Sequence, residues 1–211
     1  REDLIVASQV DNLKVAMIDG ESLQSSSNER NIKVKRYTKG EDNGQIHATI
    51  VWNLLTQDLD VNKVMFYQYV VIDQNQKVSS KAVALALKQA LKDDVDVVNI
   101  TVGFYQSNKI INKYVLKLLK KDVKIIAAAG DIGFGKPEFP ARIPGIVAVG
   151  SAKDGKISSF SPNKDVDVFM DGESIEFEGQ FYSGTSYAAP KYTNEVIKNI
   201  LKNNLFRSEA N

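Results

Sequence analysis

A serine hydroxyl becomes a nucleophile only beside a base that takes its proton. An imidazole serves as that base when a buried carboxylate fixes its tautomer and supports its charged form. The sequence has a single histidine, His47. Asp19 closes the apolar run Lys14–Ile18, and Ser186 follows the turn Ser183-Gly184-Thr185. Asp19, His47 and Ser186 are therefore candidates for orienting carboxylate, general base and nucleophile of an acyl-transfer reaction. Each also has a plainer reading. Aspartate before Gly20 suits a turn, a lone histidine is usually structural, and serine ahead of an apolar stretch suits a helix cap. What favours chemistry is placement, because all three fall where a strand ends or a helix begins, and open α/β sheets put their ligand sites there.

The elements that must position them alternate along the chain. Lys14–Ile18 reads as a buried strand, and Asn31–Tyr37 as a strand with one face exposed. His47 to Thr56 reads as helix, Lys63–Val71 as strand, and Ser79–Leu91 as helix. Val95–Val102 reads as strand, Lys109–Leu119 as helix, and Val123–Ala128 and Ile146–Val149 as strands covered on both faces. Short strands and turns fill Lys156 to Phe181, before a last helix from Ser186 to about Lys202. Strand and helix in alternation imply an α/β fold with a mostly parallel central sheet flanked by helices. No internal repeat or linker interrupts the 211 residues, so a single domain over residues 1–211 is expected.

Composition narrows the function. The 27 basic and 26 acidic residues nearly cancel, leaving a net charge of +1 and no basic field for nucleic acid. Cysteine is absent, which excludes disulfides, thiolate zinc sites and a cysteine nucleophile. No run reaches the roughly 18 to 20 apolar residues that span a bilayer, and Arg1-Glu2-Asp3 carries no signal-peptide pattern. A nucleotide-binding reading of the α/β pattern lacks the Gly-rich turn after the first strand. The pairs Asp58/Asp60 and Asp93/Asp94 suit solvated turns better than a calcium site, which needs six to eight converging oxygens. Neither metal nor cofactor is expected.

Longer segments resemble the subtilisin-like serine proteases of the subtilase family. Val15-Ala16-Met17-Ile18-Asp19 resembles their V-A-V-I-D segment, and His47-Ala48-Thr49-Ile50-Val51 resembles H-G-T-H-V without its first glycine and second histidine. Asp96 to Gly103 (DVVNITVG) resembles D-V-I-N-M-S-L-G, and Val123 to Gly130 (VKIIAAAG) resembles V-V-V-V-A-A-A-G. Phe139 to Pro144, Ile146–Gly150 and Phe160-Ser161 continue the match, and Gly184 to Pro190 (GTSYAAP) resembles G-T-S-M-A-x-P. The order Asp…His…Ser is also that of subtilisin. The resemblance implies a subtilisin-like three-layer fold and a serine endopeptidase of bacterial type, working through an acyl-enzyme with Asp19, His47 and Ser186 as triad.

Further roles follow from the resemblance alone. The backbone N–H of Ser186 would be one oxyanion donor. The other position falls on Asp131, where the family has asparagine, and an ionised carboxylate cannot donate. A protonated one can, so the rate should fall as pH rises through the titration of Asp131. The alternative is a catalytically impaired scaffold of the same fold that binds peptide or a partner. Substrate would add as a strand between Asn75-Gln76-Lys77 and Thr101-Val102-Gly103. Ala128, Ala129 and Gly130 would wall the pocket for the residue before the scissile bond. Glu138 lies near the pocket floor, where it would favour Lys or Arg, or is a solvated loop residue. Partners implied are a peptide or protein substrate and a propeptide or inhibitor, with the enzyme monomeric. Secretion or the cell surface fits the resemblance, and a cytoplasmic processing protease remains open.

Overall fold

The computed structural model describes residues 12–26, 31–40 and 44–209. Arg1, Glu2 and Asp3, on which the signal-peptide expectation rests, lie outside the described residues. The chain runs β1 (Leu13–Asp19), β2 (Ile32–Arg36), α1 (Gln45–Thr56), β3 (Val64–Val70), α2 (Ser80–Lys92), β4 (Val97–Ile100) and α3 (Lys109–Lys120). It continues with β5 (Lys124–Ala128), β6 (Val147–Lys153), β7 (Lys156–Ile157), β8 (Val168–Met170), β9 (Ile175–Phe177), β10 (Gln180–Tyr182) and α4 (Thr185–Glu209). The main sheet has the order β2-β3-β1-β4-β5-β6-β7, with β8 also beside β6. Its pairings are parallel apart from the short β6–β7 turn-back.

Strand parity sorts the core into two layers. In β1 and β4 the even residues Ala16, Ile18, Val98 and Ile100 pack against α2 and α3. The odd residues Val15, Met17 and Val97 pack against α1 and α4. Such strands must be apolar on both faces, and burying each Val or Ile side chain contributes about 1.5–3 kcal/mol. Asp19 is odd, so β1 delivers its carboxylate to the α1/α4 side. Ile18 pairs with Ile100, which sets Thr101 next to Asp19 across the strand ends.

Beyond β1 the strand order reverses, one branch running to β3 and the other to β4. The carboxyl ends of β1 and β4 flank this switch point, where crevices form in open α/β sheets. The observed elements differ from the sequence expectation mainly at their ends. β4 is shorter than Val95–Val102, because Thr101-Val102-Gly103 leave the sheet as a free edge toward the crevice. β6 extends past Val149 to Lys153 by pairing with β7 and β8.

Candidate active site

Asp19 is fully buried at the end of β1 and is met by three donors. Gly20 N–H and His47 Nδ1 both reach Oδ1, His47 at 3.0 Å, and the Thr101 hydroxyl donates to Oδ2. A carboxylate acceptor at Nδ1 places the imidazole proton there and turns the Nε2 lone pair away from the sheet. His47 sits in the first turn of α1, which starts after Gly44 in a left-handed conformation (φ 66°). Ala48, at the place of the family's glycine, is completely buried without obstructing the turn. Burial pushes the His47 pKa down, but the field and hydrogen bond of Asp19, with a smaller contribution from Asp131, outweigh it and leave it raised. Tyr187 covers the ring, with centroids 5.4 Å apart.

Ser186 is the second residue of α4, so its backbone N–H lies in a first turn that has no acceptor within the helix. Its hydroxyl donates to the Thr101 carbonyl at 3.1 Å rather than to His47. The turn ahead of it is pinned from the β5 side. Gly130 N–H donates to Thr185 Oγ1 at 3.0 Å, and Thr185 N–H donates to Asp131 Oδ1 at 2.8 Å. Asp131 thus faces the helix N-terminus as an acceptor, a favourable place for a negative charge. A Cβ on Gly184 would lie 3.2 Å from Asp131 Oδ2, so the carboxylate rests against the turn that presents Ser186.

The expected pocket residues converge. Thr101-Val102-Gly103 and Ala128-Ala129-Gly130 form two walls, and the segment carrying Glu138 ties them together. Glu138 N–H bonds to Ala129 O at 2.9 Å, while Phe139 and Phe104 exchange backbone hydrogen bonds of 2.7 and 3.0 Å. The Glu138 carboxylate lies wedged between the walls. A Cβ on Gly103 would collide with its Oε1, and one on Gly130 would come within 2.8 Å of its Cδ. A side chain at either position would displace the Glu138 carboxylate, and Gly130, at φ 106°, also has a backbone conformation that favours glycine. Glu138 is thus partly buried rather than a solvated loop residue. Burial first and Asp131 second push its pKa up to about 7, with Arg142 pulling the other way. Arg142 itself reaches the Tyr105 carbonyl and the Ser107 hydroxyl and stacks on Phe139. The third expected segment, Asn75-Gln76-Lys77, is a tight tip on which Asp73 Oδ1 accepts from the N–H of Asn75 and Lys77.

Sequence reasoning missed the Thr101 side chain as a support of Asp19, Thr185 as a brace of the Ser186 turn, and Tyr187 as the cover on His47. Thr101 was legible in the parity of β4, since an odd polar residue two places after Asn99 must face the α1/α4 layer. Among the described residues no group of three or more His, Asp or Glu side chains could hold a metal ion.

The sequence pattern defining the subtilase family matches residues 11–202. The chain is 29% identical over 136 residues to the minor extracellular protease Epr of Bacillus subtilis (strain 168), covering 61% of this chain and 21% of that one. It is 26% identical over 202 residues to subtilisin amylosacchariticus of Bacillus subtilis subsp. amylosacchariticus, covering 85% and 53%. The chain therefore spans about half or less of the length of these curated relatives. Two solved structures share its fold. The prenylagaramide maturation protease PagA matches with a TM-score of 0.69 at 23% identity, covering 86% of this chain and 72% of that one. A lanthipeptide protease matches with 0.70 at 20% identity, covering 86% and 71%.

Proposed function

The chain belongs to the subtilase family, and on that premise we propose that it is a serine endopeptidase acting through Asp19, His47 and Ser186. The observation that carries this reading is the buried Asp19–His47 pair at the switch point of the sheet, beside the turn that presents Ser186. We read residues 1–211 as a single, monomeric peptidase domain needing no cofactor.

A peptide strand laid along Thr101-Val102-Gly103 brings its own N–H donors to that edge. It competes for the Thr101 carbonyl and releases the Ser186 hydroxyl to turn toward His47 Nε2. Ser186 Oγ then attacks the scissile carbonyl carbon while its proton passes to Nε2. Asp19 supports the imidazolium that results. The carbonyl oxygen, now negative, meets the free N–H of Ser186. Nε2–H protonates the departing amine as the C–N bond breaks, leaving the acyl-enzyme. A water molecule, deprotonated by His47, attacks the ester and frees Ser186.

The oxyanion position of Asp131 makes this cycle conditional. With Oδ1 held by Thr185 N–H, its other oxygen can help only when it carries a proton, and as a carboxylate it repels the developing charge. Glu138 assigns specificity. Its carboxylate between Gly103 and Gly130 attracts a Lys or Arg side chain before the scissile bond. A basic cutting site, and fold neighbours described as a maturation protease and a lanthipeptide protease, support a processing role on a precursor peptide.

A second reading is an impaired scaffold that binds peptide without turnover. It is favoured by the Ser186 hydroxyl lying on Thr101 and by the acceptor character of Asp131. Matched peptides with Arg, Leu or Phe before the bond decide between the two. Cleavage led by Arg, lost in Ser186→Ala, establishes the endopeptidase. Binding of all three with no cleavage by the wild type establishes the scaffold.

A further inference from the structure

The face of β6 that turns toward α4 carries a hydroxyl where strand parity calls for an apolar side chain. Val147 and Val149 belong to the α1/α4 layer, and Ser151, next in the same parity, is completely buried. Ser158 and Ser161, which follow β7, are buried beside it. Buried hydroxyls must find partners, and those of Ser151 lead toward the nucleophile. Its Oγ meets Ser158 Oγ at 2.8 Å and accepts from Gly172 N–H at 3.0 Å. Ser151 pairs with Met170 across β6 and β8, so the chain leaving β8 brings Gly172 to it two residues later. The Gly172 carbonyl in turn accepts from Gly184 N–H at 2.9 Å. Only glycine allows so close an approach, since a Cβ on Gly172 would collide with the Gly184 carbonyl.

The turn that presents Ser186 is thus held on both flanks. Gly184 N–H is tied to Gly172 on the β6/β8 side, and Thr185 N–H is tied to Asp131 on the β5 side. The next N–H in the chain, that of Ser186, is the one left for the oxyanion. Two successive peptide groups bound to fixed acceptors set the direction of the third. Ser161 belongs to the same buried layer but serves other partners. Its Oγ accepts from Ser151 N–H at 3.0 Å and donates to the Pro162 carbonyl at 2.9 Å.

We propose that Ser151 is a positioning residue, which through Gly172 holds Gly184 and so aims the Ser186 N–H and hydroxyl at the scissile carbonyl. The reaction it serves rests on the endopeptidase reading above. The strut Ser151–Gly172–Gly184 has no titratable group, so it acts alike at every pH, which separates it from Asp131. It touches no substrate, so it acts on kcat and leaves KM alone.

Ser151→Ala and Ser161→Ala, compared on the same Arg peptide, test this. Each removes one buried hydroxyl from the same layer, and each should lower Tm. Only Ser151→Ala is expected to lower kcat, about tenfold at unchanged KM, because slight misplacement of a reacting group is costly. The factor should be the same at acid and neutral pH. Ser151→Cys keeps a weaker acceptor at the position and should recover part of the loss. If Ser151→Ala does not fold, the cysteine variant carries the test, with a smaller loss in kcat alone. Equal kcat losses in Ser151→Ala and Ser161→Ala overturn the proposal, as do a wild-type kcat in Ser151→Ala or a loss confined to KM. If the wild type neither cleaves the peptide nor labels at Ser186, it is the endopeptidase reading that fails. The strut is then read by amide hydrogen exchange. Gly184 N–H should exchange faster in Ser151→Ala than in the wild type or Ser161→Ala, and unchanged protection overturns the proposal.

Discussion

The two halves of the candidate site are built to different standards. On the β1/α1 side, Asp19 is buried, satisfied by three donors and locked to His47. On the β5/α4 side, the Ser186 hydroxyl is engaged with a backbone carbonyl, and a carboxylate stands where a donor is wanted. The base is preorganised and the electrophilic half is conditional. Preorganised dipoles contribute the larger share of catalysis in such sites, so the second half sets the rate while the first makes a rate possible.

The largest effect comes from breaking the finished half. Asp19→Asn removes the acceptor that fixes the His47 tautomer, and kcat on an Arg peptide should fall about 10⁴-fold. A loss below about tenfold would place the base elsewhere. Next is repair of the conditional half. In Asp131→Asn the side-chain oxygen can still accept from Thr185 N–H while the amide donates to the oxyanion. A rate gain of about 10²-fold at neutral pH is expected from restoring one such donor. The same variant removes a negative charge that raises the His47 pKa. Because His47 must be neutral to act as base, the acidic limb of the profile should move to lower pH. An unchanged limb would mean Asp131 is electrically remote from His47.

Smaller effects test the pocket between the halves. Glu138 titrates near 7, so it attracts a cationic side chain above that pH and loses the charge below it. The Arg-over-Leu preference should therefore grow from pH 6 to pH 8, and Glu138→Gln should cut it about tenfold, the scale of one partly solvated charge pair. A preference that ignores both pH and substitution removes Glu138 from the specificity account. Smallest is Tyr187→Phe, which keeps the aromatic cover over His47 and removes only the phenol hydroxyl. It should change kcat by no more than about threefold, as expected of a volume-conserving swap, and a larger loss would give the phenol a direct role.

The finished half was the more legible in sequence. Continuous apolar β1 and β4 fixed which residues face which layer, and a lone histidine at a helix start after Asp19 needed only that parity to become its partner. Element ends were less legible, since Thr101-Val102-Gly103 continue the apolar run of β4 yet leave the sheet. The conditional half depends on long-range side-chain geometry. The identity of Asp131 could be read, but its bond to Thr185 N–H, 54 positions away, could not. Glu138 was ambiguous for the same reason. Its loop has no periodicity, and long-range backbone bonds, Phe139 with Phe104 and Glu138 N–H with Ala129 O, fold it into the pocket.

The contrast between the halves is tested most directly by the rate at which a serine-directed fluorophosphonate labels Ser186, measured across pH for the wild type and Asp131→Asn. The phosphonyl oxygen occupies the oxyanion position, so the reagent reads both halves together. The account predicts Ser186-specific labelling of the wild type that rises with pH as His47 loses its proton, and faster labelling of Asp131→Asn with that rise moved to lower pH. Labelling of the wild type at an unactivated serine's rate, or an Asn variant with an unchanged profile, would contradict it.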